Sequence, residues 1–476
     1  MTTGHSTAAS VASVRRRTRA SCIVCALFAA AWPWAAPAQD AVSPLGEQAR
    51  RAAQASDPAG RHATLPPKPE TAASTLHEPA ELTLRDALAL ALQRNPELAA
   101  FGKERSATEA ALLQAGALPN PVLDISADNL RNTRKAEAGD RSTTIQIGQL
   151  IELGGKRSAR MRAAEAGHDL ANWDYEAKRI EILSLVAQRF VDVLAAQQRQ
   201  TLAEEALALA RQVSDAVARR VQAGKVSPVE ETKARLAQAG AEVELEQARR
   251  EGFSARGTLG ALWSEPSPRF AKAVGDLEKP LSLPAYEQLA ARVRNNPELA
   301  RWAAEMLRRQ AGVDAEKAKT IPDLTVTAGI TRFSQFDDRA YTIGISVPLP
   351  LFDRNQGGIL EASRRLDKAG DELRAAQGRV LTELTRTYQR LAAIDNEIGT
   401  LRTVLLPGAQ SAFDAAAKGY QLGRFGFLDV LDAQRTLFQT RTQNLRALAD
   451  YQRGVSEIER LVGGPLDMSP NIMNRQ

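Results

Sequence analysis

Asp429 and Asp432 are three residues apart, so they share one face of the helix that the surrounding pattern predicts. A break at Gly419-Tyr420-Gln421-Leu422-Gly423 precedes that helix. With Gly426 as N-cap, Asp429 takes the third helical position. A carboxylate there complements the positive helix end by about 0.3–1 kcal/mol. Asp432 is solvated on the same reading. A matching break stands upstream, at Gly224-Lys225-Val226-Ser227-Pro228-Val229-Glu230. Ser227 and Glu230 have the spacing of a capping box, with Pro228 at the first helical position. Glu230 then serves both as cap partner and as an acidic group near the break. Lys233 stands where Asp432 stands in the other break, so the two differ in charge.

The rest of the chain offers little covalent or metal chemistry. Gly154-Gly155-Lys156-Arg157 lacks the earlier glycine of a phosphate loop, because Leu150 fills that place, and no Ser or Thr follows Lys156. No Ser-His-Asp or paired-acid constellation stands out, so no catalytic residue and no enzymatic activity are expected. Beyond residue 38 the histidines are His62, His77 and His168, and the methionines are scattered. His168, alone on a long helix, reads as an ordinary helix-surface or interface residue. No set suits zinc, cobalt or copper, so neither a metal site nor a cofactor is expected.

These residues need long elements to position them. Residues 1–38 read as an export signal: Arg15, Arg16, Arg17 and Arg19, then an apolar run from Cys22 to Trp34, then Ala36-Pro37-Ala38. Both cysteines lie in that segment, which leaves no thiol beyond it. The segment holds four arginines and no acid, so its removal takes the net charge from +6 to +2. A charge argument for nucleic-acid binding disappears with it. Residues 39–79 are rich in Ala and Pro and read as a disordered leader.

From residue 80 a unit of helix, strand, strand, very long helix, break and long helix occurs twice, over 80–280 and 281–464, with a short tail at 465–476. Asn95-Pro96-Glu97-Leu98-Ala99 returns as Asn296-Pro297-Glu298-Leu299-Ala300, a helix restart with Asn as N-cap. Period-2 alternation predicts strands at about 122–130, 143–153, 323–333 and 340–351. A helix from Lys156 to about Val221 would be roughly 97 Å long. Its residues Leu183, Val186, Phe190 and Val193 follow coiled-coil spacing, as do Leu448, Tyr451, Val455, Ile458 and Val462 of the closing helix. In the later unit another long helix, following Asp353-Arg354-Asn355-Gln356-Gly357, should run to about Gly419.

Four strands of about ten residues suit membrane crossings. They cannot close a barrel alone, and an open edge cannot sit in lipid. Three copies supplying twelve strands make the smallest closed number with room for a pore.

This order of elements resembles the TolC family of trimeric outer-membrane efflux and secretion channels, over about Leu82 to Gly464. Gln149-Leu150-Ile151-Glu152-Leu153-Gly154-Gly155-Lys156-Arg157 and Pro348-Leu349-Pro350-Leu351-Phe352-Asp353-Arg354-Asn355-Gln356-Gly357 look like its Czc-type branch, which serves heavy-metal efflux. The resemblance implies a mainly α homotrimer with an internal two-fold repeat. A twelve-stranded β-barrel in the outer membrane would continue as a long α-helical barrel across the periplasm. Its partners would be outer-membrane lipid, a periplasmic membrane-fusion adaptor and an inner-membrane pump of the RND type. A multidrug or type I secretion duct is the alternative within the class, and a soluble periplasmic coiled-coil adaptor the alternative outside it.

The resemblance further implies that Asp429 and Asp432 line the periplasmic aperture, together with Glu230, Tyr420, Arg424 and Phe425. Gly224, Val226, Ser227, Gly423 and Gly426 would form tips that meet the adaptor. Tyr420 matches the family's tip tyrosine. Phe425 stands where the family has a latch arginine, so a hydrophobic constriction at Phe425 and Phe427 is expected in its place.

Overall fold

The computed structural model describes residues 80–128, 141–278, 283–333 and 338–466. The expected signal and leader, and most of the tail, lie outside them. The fold is mainly α. Strand β1 (Glu81–Thr83) leads into α1 (Leu84–Arg94) and α2 (Pro96–Ala115). Strands β2 (Val122–Asp128) and β3 (Ser142–Ile151) follow, then α3 (Lys156–Gln222), α4 (Pro228–Gly260) and strand β4 (Lys272–Val274). The second half holds α5 (Tyr286–Arg292), α6 (Pro297–Ala318), β5 (Leu324–Phe333), β6 (Asp338–Ser346), α7 (Gln356–Thr400), α8 (Leu406–Gln421) and α9 (Phe427–Val462).

Helix α3 spans 67 residues, roughly 100 Å. Such a helix is held by packing, not by propensity. Of its expected seam, Val186, Phe190 and Val193 are buried, and Leu183 is half-buried. All five seam residues of α9 are buried. The main core gathers these stripes with Leu90, Leu259, Trp263, Phe270, Leu289 and Leu384. Parallel pairing of β1 with β4 ties the start of the described chain into it.

The two Asn-Pro-Glu segments make matching contacts. Asn95 Oδ1 accepts the Leu98 N–H at 2.9 Å, and its Nδ2 donates to the Leu262 carbonyl at 2.8 Å. Asn296 Oδ1 accepts the Glu298 N–H at 2.7 Å, and its Nδ2 donates to the Leu461 carbonyl at 2.7 Å. Each asparagine caps one helix and holds the far end of another. Both are almost fully buried, where an unmade amide bond is costly.

Strands β2, β3, β5 and β6 form one antiparallel sheet in that order, with β2 and β6 at its edges. Ile125, Ile145, Ile330 and Tyr341 are in register on one face, as are Leu123, Ile147, Ala328 and Ile343. The other face carries Asp124, Gln146 and Gly329 in one row and Ser126, Thr144, Thr331 and Ala340 in the next. Strand β6 ends earlier than expected, at Ser346, because Pro348 and Pro350 cannot donate to a ladder; it also begins two residues earlier, at Asp338.

The helix expected to run to about Gly419 carries an irregular turn on the way. Residues Leu401–Leu405 form a π-helical turn, and the Leu406 N–H reaches back to the Leu401 carbonyl. Pro407 follows, lacking an N–H and crowding the carbonyl four residues back, at Thr403. The wider turn relieves that clash.

Candidate functional site

Both breaks are the same C-terminal cap. At the end of α3, Gly224 is left-handed (φ 67°). Its N–H donates to the Val221 carbonyl at 2.8 Å, and the Lys225 N–H donates to Arg220 at 2.9 Å. At the end of α8, Gly423 is left-handed (φ 73°). Its N–H donates to Tyr420 at 3.0 Å, and the Arg424 N–H donates to Gly419 at 2.8 Å. These pairs of bonds satisfy the orphan carbonyls of each helix and need a residue at positive φ, which glycine supplies without strain.

The restarts differ. Ser227 Oγ accepts the Val229 N–H at 3.3 Å, one residue short of the expected capping-box partner. Glu230 does not complete the box: its Oε2 is buried without a hydrogen-bond partner among the described residues. At the second tip the reciprocal bond does form, since Asp429 Oδ2 accepts the Gly426 N–H at 2.8 Å. Asp429 and Asp432 are both exposed, and Asp432 has no ion-pair partner among the described residues. Lys225, Arg424 and Lys233 are exposed as well, and Val226 is half-buried.

The two tips are tied side by side. A small core of Val217, Ala234 and Phe427 is flanked by Val221, Tyr420 and Leu431. The Arg220 guanidinium lies 4.4 Å from the centroid of the Tyr420 ring. Its Nη1 donates to the Tyr420 carbonyl at 3.0 Å. The Tyr420 ring meets Phe427 edge-on at 6.3 Å, while its hydroxyl is buried without a hydrogen-bond partner among the described residues.

The two aromatics expected at a hydrophobic constriction are placed differently. Phe427 is 2% exposed within the tip core and cannot line an opening. Phe425 is 51% exposed, but its ring folds back onto Gly419, where any side-chain carbon would overlap it. Sequence reasoning missed Arg220. Aligning the tips on Gly224 and Gly423 sets Arg220 opposite Gly419 and Val221 opposite Tyr420, which was the available signal.

The Gly154-Gly155-Lys156 segment is a collar between sheet and helix. Both glycines are left-handed, and a side chain on Gly154 would strike Ile321. Lys156 pairs with Asp323 at 2.7 Å, and the Leu153 N–H donates to the same carboxylate at 3.0 Å. Burial by itself raises the Asp323 carboxyl, but these two partners outweigh it and hold it below its ordinary value. Glu152 is lowered chiefly by its hydrogen bond from Arg160. Arg160 also donates to the carbonyls of Ala115 and Ala117. In the other half, Asn355 takes positive φ, and its Nδ2 donates to the Glu316 carboxylate at 2.8 Å. That bond lowers Glu316, and Lys319 adds to the effect. His168 Nδ1 lies 3.2 Å from Thr108 Oγ1, an ordinary helix-to-helix contact. No group of three His, Cys, Asp or Glu could hold a metal ion among the described residues. No helix among them is long and apolar enough to cross a membrane.

The profile of the outer membrane efflux protein family matches residues 87–265 and again 290–464, and the chain belongs to that family. It is an outer-membrane protein extending into the periplasm. Among its relatives, the cobalt-zinc-cadmium resistance protein CzcC of Cupriavidus metallidurans is 43% identical over 382 residues, spanning 80% of this chain and 90% of that one. The nickel-cobalt-cadmium resistance protein NccC of Alcaligenes xylosoxydans is 30% identical over 319 residues, spanning 65% and 71%. In fold, the chain is similar to the transmembrane channel CusC, with a TM-score of 0.70 at 19% identity over 80% of this chain and 92% of that one. The open-state MtrE outer membrane channel of Neisseria gonorrhoeae gives 0.69 at 18% identity over 80% and 89%.

Proposed function

We propose that this chain is the exit duct of a tripartite efflux system that exports heavy-metal cations. The observation that carries the duct is the four-stranded sheet with one apolar face, one polar face and both edges unpaired. Unpaired edges are not stable in lipid, so three copies close the barrel, β6 of one against β2 of the next. The apolar face meets lipid and the polar face meets the lumen. Residues 80–280 and 281–464 are two copies of one unit. Two matches of one family profile and the matching Asn95 and Asn296 contacts support this.

The helices continue the barrel through the periplasm and end at the tips. Gly224, Val226, Ser227, Gly423 and Gly426 form the surface that a periplasmic adaptor engages, and an inner-membrane pump supplies the energy. Asp429 and Asp432 line the aperture, with Glu230, Tyr420, Arg424 and Phe425 around it. A ring of carboxylates favours cations. The 43% identity to a cobalt-zinc-cadmium resistance protein supports the cargo. The duct is passive and selects by charge, so it needs no resident metal.

Deletion of the gene tests the cargo. Tolerance to zinc, cobalt, cadmium, nickel and copper is measured along with cell metal content. Lost tolerance and raised content of at least one metal, restored by the gene, is the expected result. Unchanged metal tolerance with new sensitivity to antibiotics or detergents would replace the metal reading with a drug duct.

A further inference from the structure

Strand β6 leaves its sheet on a run of apolar side chains. Val347, Leu349 and Leu351 keep the alternate spacing of Tyr341, Ile343 and Ile345, past the last strand residue, Ser346. All six are exposed, and Phe352 at the end of the run is 92% exposed. A contiguous apolar surface of this kind marks a place where something else packs.

The first half of the chain treats the same place differently. Counted back from the left-handed caps Gly155 and Asn355, Ile151 corresponds to Leu351 and Glu152 to Phe352. Strand β3 keeps its ladder to Ile151, paired with Leu324. The Glu152 side chain turns in to Arg160 and is only 12% exposed. In the second half Pro348 and Pro350 end the ladder, and an outward aromatic replaces the tethered acid.

The backbone of this run suits an apolar medium. Pro348 and Pro350 have no N–H to leave unpaired. The Leu351 N–H donates to the Leu349 carbonyl at 2.8 Å. Arg354 Nε donates to the Pro350 carbonyl at 3.3 Å, and Gln356 Nε2 to the Phe352 carbonyl at 3.4 Å. Pairing these groups within the segment lowers the cost of taking them out of water. The polar residues Asp353-Arg354-Asn355-Gln356 follow at once.

The depth agrees. From Tyr341 to Ser346 the strand covers roughly 17 Å, about 13 Å after the tilt of a barrel. An apolar band is about 25 Å tall with aromatic residues at both edges, which leaves about 12 Å for the residues after the strand. The run ends in Phe352, so Tyr341 and Phe352 stand at opposite edges of such a band.

We propose that Leu349, Leu351 and Phe352 form an anchor in the inner leaflet of the outer membrane, with the Phe352 ring among the glycerol and upper acyl groups of its phospholipids. The run continues the apolar row of the sheet and not the polar one, which selects lipid over the lumen. The proposal rests on the reading of this sheet as the membrane-crossing part.

The test uses the full-length protein in vesicles of phosphatidylethanolamine and phosphatidylglycerol. Both cysteines lie in the expected signal, so Phe352→Cys, Ile345→Cys and Thr342→Cys each supply one site for a bimane fluorophore. Lipids carrying a nitroxide near the headgroup or deep in the acyl chain quench the fluorophore according to its depth. The label of Phe352→Cys should be quenched at least twofold more by the shallow nitroxide than by the deep one. The label of Ile345→Cys should show the reverse, and that of Thr342→Cys should respond to neither. Phe352→Ser should keep its melting temperature in detergent but at least halve the protein retained in outer membranes through a mild detergent wash. Phe352→Trp should retain it.

A label of Phe352→Cys that neither lipid quenches, beside a quenched label of Ile345→Cys, would overturn the anchor and leave the duct intact. A lowered melting temperature of Phe352→Ser would overturn it in favour of a contact with a neighbouring copy. Unquenched labels in both variants would overturn the reading of the sheet and the anchor with it.

Discussion

Replacing Arg220 by alanine unties the two tips of each chain. The substitution removes a guanidinium 4.4 Å from the Tyr420 ring centroid and a 3.0 Å hydrogen bond to the Tyr420 carbonyl. A cation–π contact contributes about 0.5–2 kcal/mol and a hydrogen bond from a charged donor about 1.5–3 kcal/mol. Releasing the arginine side chain returns up to about 2 kcal/mol of rotamer entropy. The net loss is about 1–3 kcal/mol per chain, or roughly 5- to 150-fold in the ratio of separated to joined tips. Single-channel conductance in planar bilayers reads this directly, and uptake of a large, normally excluded antibiotic reads it in cells. Arg220→Ala should raise both. Tyr420→Ala keeps the carbonyl that Arg220 bonds but loses the cation–π contact and the ring's packing on Phe427, so it should also raise both, and the double variant should fall short of additivity by the shared cation–π contact. Tyr420→Phe is the sharper control. Its hydroxyl is buried without a partner among the described residues, so phenylalanine keeps the ring under Arg220 and sheds an unmade hydrogen bond. It should stay as closed as the wild type. Leakage of Tyr420→Phe equal to that of Arg220→Ala would mean that the hydroxyl holds the tips. Normal conductance of Arg220→Ala would mean that this tie does not control the aperture.

The two acids of the second tip should separate stability from selectivity. Asp432→Asn should leave the melting temperature unchanged but lower the cation-to-anion permeability ratio, whereas Asp429→Ala should lower both, with about 0.3–1 kcal/mol of helix-start stabilisation lost; an unchanged ratio in both variants would remove them from the aperture. Gly419→Ala should displace the Phe425 ring and destabilise the tip, and Gly419→Ala/Phe425→Ala should recover part of the loss in the same melting experiment. Asp323→Ala should cost about 1.5–3 kcal/mol by freeing Lys156 and the Leu153 N–H, measured by denaturant unfolding. Glu152, Glu316 and Asp323 are all held below their ordinary values of 4.5, 4.5 and 3.8. Their contribution is therefore complete above those values and is lost as pH falls through the lower folded ones, so melting temperature should drop in acid below about pH 4. In Asp323→Asn that drop should be smaller.

Periodicity alone set most of the architecture. The strand pairs, the long helices, the restarts at Asn95 and Asn296 and the glycine breaks at Gly224 and Gly423 are local signals, carried by residue type and spacing. The π-turn at Leu401–Leu405 was local too, since Pro407 announces it, but nothing in the apolar pattern marks it. Asp429 as a helix-start acid was legible for the same reason: its partner, the Gly426 N–H, is three residues away. The tie between the tips was not. Arg220 and Tyr420 are two hundred positions apart, and only the packing of α3 beside α8 brings them together. Phe427 could be read from sequence as a lumen residue or a core residue, because an aromatic at a helix start serves either. Its burial against Val217 and Ala234 was decided by which face of α9 turns toward α3 and α4. The same holds for Asp323 and Lys156, whose pairing joins the two halves of the chain. Sequence specifies what a segment does with its neighbours along the chain. Contacts between segments depend on how the helices settle against one another, and that is fixed only when the whole core has closed.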